Sequence, residues 1–139
     1  MTIQSIEKQA QDKFSALMKE HGVFIAFDMP TITSYIAGKA EQGFPSKLDD
    51  WVGLGGGYYA PRANAKAFNE SQKLIWEEER KMVLKHIPRE KIILKELNNH
   101  EAFFCDDGLE TAVDILAAYD IKPEEVLKVY QSHEGDSAW

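Results

Sequence analysis

Glycine and aromatic residues are concentrated in one segment of the chain, DDWVGLGGGYYAPR, from Asp49 to Arg62. Glycine lets the backbone bend or approach a bound group closely, because it carries no side chain. Tyrosine and tryptophan are enriched where proteins grip their partners, and arginine offers a fork of donors for a carboxylate or phosphate. The segment therefore predicts a partner- or ligand-binding surface formed by Trp51, Gly55, Gly56, Gly57, Tyr58, Tyr59 and Arg62.

The glycine spacing does not match the known phosphate-binding fingerprints. A dinucleotide site needs G-x-G-x-x-G at the start of a helix, whereas counting from Gly53 puts Tyr58 at the last glycine position. The Gly-Lys-Ser/Thr of a phosphate-binding loop is missing as well. The alternative to a binding surface is a glycine-bulged strand packed closely against a helix.

The tripeptide Asn99-His100-Glu101 is a second candidate, because a histidine beside a carboxylate can act as a base or a metal ligand. Adjacent side chains on a strand point to opposite faces, however. The zinc-binding motif H-E-x-x-H would need a second histidine four residues after His100, and Phe104 occupies that position. We predict no catalytic residue, no metal and no cofactor, and we keep His100 and Glu101 as candidate partner- or ligand-binding residues. In the alternative interpretation, His100 only fixes the loop that leads into a strand.

The single cysteine, Cys105, permits no internal disulfide and favours a reducing, cytoplasmic setting. As a nucleophile it would need His100 as its base, but five residues along one strand put the two side chains on opposite faces. We therefore interpret Cys105 as a small buried apolar residue. The N-terminus lacks the basic and apolar regions of a signal peptide.

Hydrophobic periodicity and helix-ending residues predict an α+β fold. The 139 residues fit one domain, residues 1–139, with a frayed tail over residues 133–139. The order of elements predicts a small sheet of about three strands packed by about six helices. The helices are expected at residues 3–21, 31–42, 65–86, 88–97, 109–119 and 123–132, and the strands at residues 23–27, 51–60 and 101–105.

The chain is acidic, with 23 Asp and Glu against 16 Lys and Arg and a net charge of −7. This charge argues against direct binding of nucleic acid, which needs a basic face, and it favours a protein partner with a basic surface. No apolar run approaches the roughly 20 residues of a membrane span. In the long helix, Phe68, Ile75 and Met82 fall seven residues apart and form a core-facing or partner-facing seam, which offers a surface for homo-oligomers through helix 65–86.

Three segments taken together resemble small uncharacterised proteins carried by phages and bacterial mobile elements. They are VFIAF followed by a helix, the G-x-G-G-G-Y-Y segment, and NNHEAFFCDD followed by a helix. The resemblance runs from Val23 to about Tyr130. It implies an accessory protein of a mobile element and supplies no reaction. The residues that carry it are Ala26, Phe27, Gly56, Gly57, Tyr58, Asn99, His100 and Glu101.

Two functions of different classes follow from these observations. The first is a non-enzymatic accessory binding protein of a phage or mobile element, present in the host cytoplasm, that inhibits a host defence macromolecule through its acidic surface. The alternative is a protein that binds or sequesters a small-molecule or nucleotide-like ligand, or a small enzyme acting on one, through the glycine-rich strand. A pocket at Gly55–Tyr59 would favour the alternative, and a convex surface there would favour the macromolecular partner.

Overall fold

The computed structural model describes residues 1–103 and 106–133, which contain six α-helices and one three-stranded antiparallel sheet. This confirms the predicted α+β class and the number of elements. Short 3-10 turns at Leu48–Asp50 and Arg62–Asn64 precede and follow the two strands β2 and β3. The elements are α1 (Ile3–His21), β1 (Phe24–Ile25), α2 (Met29–Glu41), β2 (Trp51–Gly55), β3 (Tyr58–Pro61), α3 (Ala65–His86), α4 (Arg89–Asn99), α5 (Asp106–Ala117) and α6 (Pro123–Ser132).

Contacts between Cα atoms divide the chain into two compact units, and the boundary falls within α3. We call Glu7–Glu77 the sheet unit, and Met1–Ile6 together with Glu78–Trp139 the helical unit. Every buried cluster described below lies within one unit or the other. The single domain of residues 1–139 stays a prediction.

In the sheet unit the strand order is β1-β3-β2, and both faces of the sheet are covered by helices. Side chains alternate between faces along a strand, so Val23 and Phe24 enter different clusters. One cluster packs the sheet against α2 and contains Phe24, Ala26, Ile32, Ile36 and Trp51. The other packs it against α1 and α3 and contains Phe14, Val23, Ala60 and Phe68.

Residues 51–60, predicted as one strand, form a hairpin, because the chain reverses direction after Gly55. Gly56 and Gly57 form a two-residue turn with φ of 61° and 84°, and Gly55 pairs with Tyr58 on either side of it. Positive φ at both central residues is the requirement of the type I′ turn that joins antiparallel strands, and Gly-Gly is one of its signals. The register shifts between Gly53 and Gly55, where a β-bulge forms.

The predicted strand at residues 101–105 is wrong for residues 101–103, which form a turn after α4. The backbone N–H of Glu101 donates to the Asn98 carbonyl at 3.2 Å, and that of Ala102 donates to the Leu97 carbonyl at 2.9 Å. These donors satisfy the last carbonyls of the helix and are therefore not free for a sheet ladder. Residues Phe104 and Cys105 lie outside the described ranges.

In the helical unit, α4, α5 and α6 pack with the last turns of α3 around one cluster. Asp120 takes a φ of 58° just after α5, which turns the chain so that Ile121 is buried before Pro123 starts α6. The fully buried side chains of this cluster include Val83, Ile93, Leu97, Leu116, Ile121 and Val126.

The seam predicted on the long helix faces the protein interior at its two ends. Phe68 is buried in the sheet unit, and Met82 is packed against the cluster of the helical unit. Leu74 is the exposed apolar residue of α3, with 64% of its surface accessible. A homo-oligomer through residues 65–86 stays a prediction. Among the described residues, no helix is both long and apolar enough to span a membrane.

Candidate functional site

Phe24 lies at the centre of an aromatic group that supports the predicted binding segment. Its ring is stacked between those of Tyr35, at 4.9 Å and 9°, and Tyr59, at 5.6 Å and 19°. Trp51 lies at 5.3 Å from the same ring. Offset or edge-on aromatic contacts at these separations stabilise a fold beyond the area they bury. The aromatic residues of the segment are therefore part of the sheet unit's core packing.

Trp51 itself is only 4% exposed. Its indole Nε1–H donates to the Pro45 carbonyl at 3.0 Å, so the ring fixes the loop between α2 and β2. A buried tryptophan usually needs such a partner for its N–H. Because its surface is covered, Trp51 can contribute to binding only by holding its neighbours in place.

The two tyrosines of the segment lie on opposite faces of the sheet, as the alternation of a strand requires. Tyr59 packs with the cluster around Phe24, whereas Tyr58 packs with the cluster on the α1 side. The ring of Tyr58 meets that of Phe14 edge-on at 6.0 Å and 72°. Both tyrosines are half-buried, so each combines core packing with an accessible part.

The glycine turn is exposed backbone at the end of the hairpin. A methyl group built on Gly55 would meet no atom within 4 Å, whereas one built on Gly57 would come within 2.5 Å of the ring of Phe27. The space at Gly55 is therefore open and not enclosed as in a pocket. Of the two outcomes set out above, this geometry favours a surface for a macromolecule.

Phe27 is an exposed aromatic residue that the pattern of the sequence did not single out as a binding residue. Its side chain is 81% accessible, and the adjoining Ile25 and Met29 are exposed as well. These residues form an apolar edge at the end of β1, which is an outer strand of the sheet. In the sequence, Phe27 ends a five-residue apolar run, and such a run gives no signal that its last member is exposed.

Arg62 is exposed, and its guanidinium binds backbone carbonyls. Nε and Nη2 donate to the Asp49 carbonyl at 3.3 and 3.2 Å, and Nη2 also lies 3.4 Å from the Trp51 carbonyl. The fork of donors that was expected to grip a carboxylate or phosphate thus holds the start of β2. This assigns Arg62 a local structural contact.

His100 and Glu101 belong to the helical unit, whereas the other candidate residues belong to the sheet unit. His100 follows the last turn of α4, and its Nε2 lies 3.4 Å from Oε2 of Glu96. Glu101 is exposed and has a φ of 53°. The carboxylate beside the His100 imidazole is therefore that of Glu96, four residues earlier on the helix. Glu96, His100 and Glu101 together fix the end of α4.

The structure reveals an open groove between α5 and α6 that sequence reasoning missed. It measures about 470 Å³ and is lined by Leu109, Glu110, Val113, Asp114, Pro123 and Leu127. Leu127 on the α6 wall is 44% exposed, whereas the neighbouring Val126 is fully buried. Residue type alone does not distinguish these two adjacent apolar residues.

Negative charge is concentrated in the helical unit. Its sequence ranges hold fourteen acidic and eight basic residues, a net of −6, which leaves nine against eight, or −1, for the sheet unit. Asp107, Glu110 and Asp114 are exposed and, at spacings of three and four, share one face of α5. Glu124 is exposed in the first turn of α6.

Further grooves lie elsewhere on the protein. One, of about 440 Å³, runs along α2 past Tyr35 and Lys39. Another lies between α4 and α6, where Arg89 pairs with Glu125 at 2.9 Å. A shallow one of about 370 Å³ is lined by Pro45, Asp50, Arg62 and Ala63. Within residues 1–103 and 106–133, no three His, Cys, Asp or Glu side chains are grouped as a metal site would require.

Comparison with known families places the chain in the Family of unknown function (DUF7659), whose model matches residues 6–135. The chain belongs to this family, and the match takes in residues of both units. None of the curated proteins and none of the solved structures compared with the chain matches it.

Proposed function

We propose that this chain is a non-enzymatic accessory binding protein that attaches the acidic face of its helical unit to a basic surface of a protein partner. In the phage or mobile-element setting that the sequence resemblance implies, the partner is a host defence macromolecule, which the protein inhibits. The observation that carries the proposal is the exposed apolar groove between α5 and α6 with carboxylates on its border.

The charge of this surface supports a basic partner for a simple electrostatic reason. Glu110 and Asp114 line the groove together with Leu109, Val113 and Leu127, so carboxylates and apolar side chains would meet the same partner. Lysine and arginine residues on that partner would relieve the repulsion between neighbouring carboxylates and speed association. Nucleic acid carries the wrong sign of charge for this surface.

A small ligand at the glycine turn has less support. The space at Gly55 is open, whereas small-molecule sites are concave and bury most of the ligand. The tyrosine rings that would stack on such a ligand already pack against Phe14 and Phe24. We therefore favour the macromolecular partner.

A pull-down with charge-matched variants tests the proposal. The tagged chain is incubated with host lysate, and bound proteins are identified by mass spectrometry. Glu110→Gln with Asp114→Asn removes two charges at the groove, and Glu41→Gln with Glu70→Gln removes two exposed charges in the sheet unit. We expect the variant with the control pair to retain the partner and the variant with the groove pair to lose it. Added salt should weaken the binding of the partner to the wild type.

Thermal unfolding of each variant shows whether it is folded before binding is compared. The activity of the captured partner is then measured with and without the protein, and inhibition is expected for the wild type and for the control pair alone. Equal capture by both variants, or a partner whose binding is insensitive to salt, would contradict the proposal.

A further inference from the structure

The groove between α5 and α6 is shaped for one kind of partner segment. We propose that it receives an amphipathic α-helix whose apolar side chains enter the groove and whose Lys or Arg residues meet the carboxylates beside it. This inference rests on the proposed function, because it names the part of the basic partner that this surface binds.

The apolar lining has the periodicity of a helix on both walls. Leu109 and Val113 stand four residues apart on α5, and Pro123 and Leu127 stand four residues apart on α6. Four residues of helix advance about 6 Å, so each wall offers two contacts one turn apart. A docked helix presents its own apolar residues at the same i, i+3 and i+4 spacing.

The groove is too open for a small ligand, since it lies at the surface and Leu127 is 44% exposed. A helix laid along it would cover Leu127 without any change in the cluster beneath, where Leu116 and Val126 are fully buried. Removing exposed apolar surface from water favours such docking.

The charges select a cationic helix over an acidic one. Glu110 and Asp114 are on the α5 wall, Asp107 is exposed on the same face of the helix, and Glu124 is exposed on α6. Lys128 of α6 lines the separate groove between α4 and α6, and the exposed Lys122 just before Pro123 does not line the α5–α6 groove. Carboxylates therefore border the apolar lining, and they complement Lys and Arg on the flanks of the partner helix.

A second copy of this chain does not fit the groove equally well. Phe27, the most exposed aromatic residue in the described part of the chain, is followed directly by Asp28, so docking it here would bring another carboxylate against Glu110 and Asp114. Like charges brought together at an interface weaken it. The net charge of −7 adds to that repulsion.

Binding of a synthetic helix to the full chain provides the test. The probe is a fluorescent 16-residue peptide with leucine at i, i+4 and i+7 and lysine and alanine elsewhere, and its control is a scrambled peptide of identical composition. Anisotropy titrations use wild type, Leu127→Ser, and Leu74→Ser, which removes a similarly exposed leucine from α3. Thermal unfolding confirms that each variant is folded.

We expect the patterned peptide to bind wild type and Leu74→Ser alike, and to bind Leu127→Ser about tenfold more weakly. The scrambled peptide should bind at least about tenfold more weakly to wild type, which corresponds to about 1.4 kcal/mol. Backbone amide shifts in NMR spectra should move along α5 and α6. Equal binding of both peptides, equal binding to Leu127→Ser, or no binding at millimolar concentration would overturn the inference.

The outcomes separate this inference from the proposed function. Capture of the lysate partner could require Glu110 and Asp114 while peptide binding is unchanged by Leu127→Ser. In that case the partner is basic but is not a groove-bound helix, and the inference alone fails. If the peptide binds as expected while no lysate protein depends on those carboxylates, the groove assignment is supported and the inhibitory function fails.

Discussion

The ring of Phe27 lies against the α-carbon of Gly57, so closely that a β-carbon there would come within 2.5 Å of Cε1 of the ring. The backbone joins the same two segments, because the Ala26 N–H donates to the Gly57 carbonyl at 2.9 Å. An exposed aromatic ring thus lies over a residue of the hairpin turn that carries no side chain.

Gly57→Ala is expected to destabilise the protein through two separable effects. Alanine at a φ of 84° is strained by about 1–2 kcal/mol, and its methyl group displaces the ring of Phe27. Gly55→Ala is the matched control, because its φ of 94° is similarly unfavourable but its surroundings are open. Urea unfolding should show a larger loss for Gly57→Ala, and the two losses should become equal when Phe27→Ala is introduced into both. A difference that persists without the ring would contradict the role of this contact.

Much of the fold could be predicted because it rests on local patterns. The apolar spacing and end residues of α1, α3 and α6 placed these helices correctly. The hairpin was missed because Gly55, Gly56 and Gly57 were interpreted as irregularities in one strand, although two consecutive glycines between strands favour a turn. The strand predicted at residues 101–105 is wrong over residues 101–103, because the backbone N–H groups of Glu101 and Ala102 donate to the carbonyls that end α4.

Gly108→Ala should destabilise α5, which is the reverse of the usual effect of alanine in a helix. A β-carbon at Gly108 would collide with the carbonyl oxygen of His100 and lie 3.0 Å from the Ala102 nitrogen. Backbone cannot move aside as a side chain can, so a loss above about 1 kcal/mol is expected. Gly38→Ala in α2 is the control. Its β-carbon meets nothing within 4 Å, and the protein should gain roughly 0.5–1 kcal/mol. Stabilisation by both substitutions in thermal unfolding would show that the contact at His100 does not restrict the site.

Trp51→Phe should destabilise the protein by about 1–3 kcal/mol, because the change leaves a cavity and removes the donor to the Pro45 carbonyl. Far-UV circular dichroism during urea unfolding measures the change without relying on tryptophan fluorescence. The half-buried Trp76 on α3 is the comparison, and Trp76→Phe should have a smaller effect. If Trp51→Phe were neutral, the packing described around Phe24 would be wrong.

Arg62→Lys should lose most of the stability that Arg62→Ala loses, about 0.5–1.5 kcal/mol. An ammonium group cannot reproduce the fork that spans the Asp49 and Trp51 carbonyls. Equilibrium unfolding in moderate salt distinguishes this from a charge effect. Full rescue by lysine would mean that only the positive charge of Arg62 matters.

Acidification should weaken the start of α2 through Asp28. Hydrogen bonds from the Thr31 side chain and from its backbone N–H lower the pKa of this exposed carboxyl below its usual 3.8. The folded protein therefore binds fewer protons here than the unfolded chain, and the stabilisation is complete above pH 3.8 and lost as the pH falls through the lowered pKa. Unfolding free energies from about pH 6 to pH 2 should fall more steeply for wild type than for Asp28→Asn, which keeps the cap without the charge. Parallel pH profiles would contradict this assignment.

The candidate site was less predictable than the fold, since binding depends on which surface remains exposed. Residue types drew attention to Trp51 and Arg62, whose side chains hold a loop and two backbone carbonyls. The exposure of Phe27 and Leu127 depends on tertiary packing that periodicity does not encode. Composition shows an excess of acidic residues, but it does not indicate which surface carries them.

The two-residue turn also suggests an order of events during folding. Strands β2 and β3 are adjacent in the chain, and such hairpins close within about 1–10 μs. Strand β1 pairs Phe24 with Tyr59 across the whole of α2, a longer loop with a higher entropic cost of closure. We therefore expect β1 to join a hairpin that has already formed. Pulsed hydrogen exchange would show protection at Ala60 before Ala26, and the opposite order would mean that α2 and β1 assemble first.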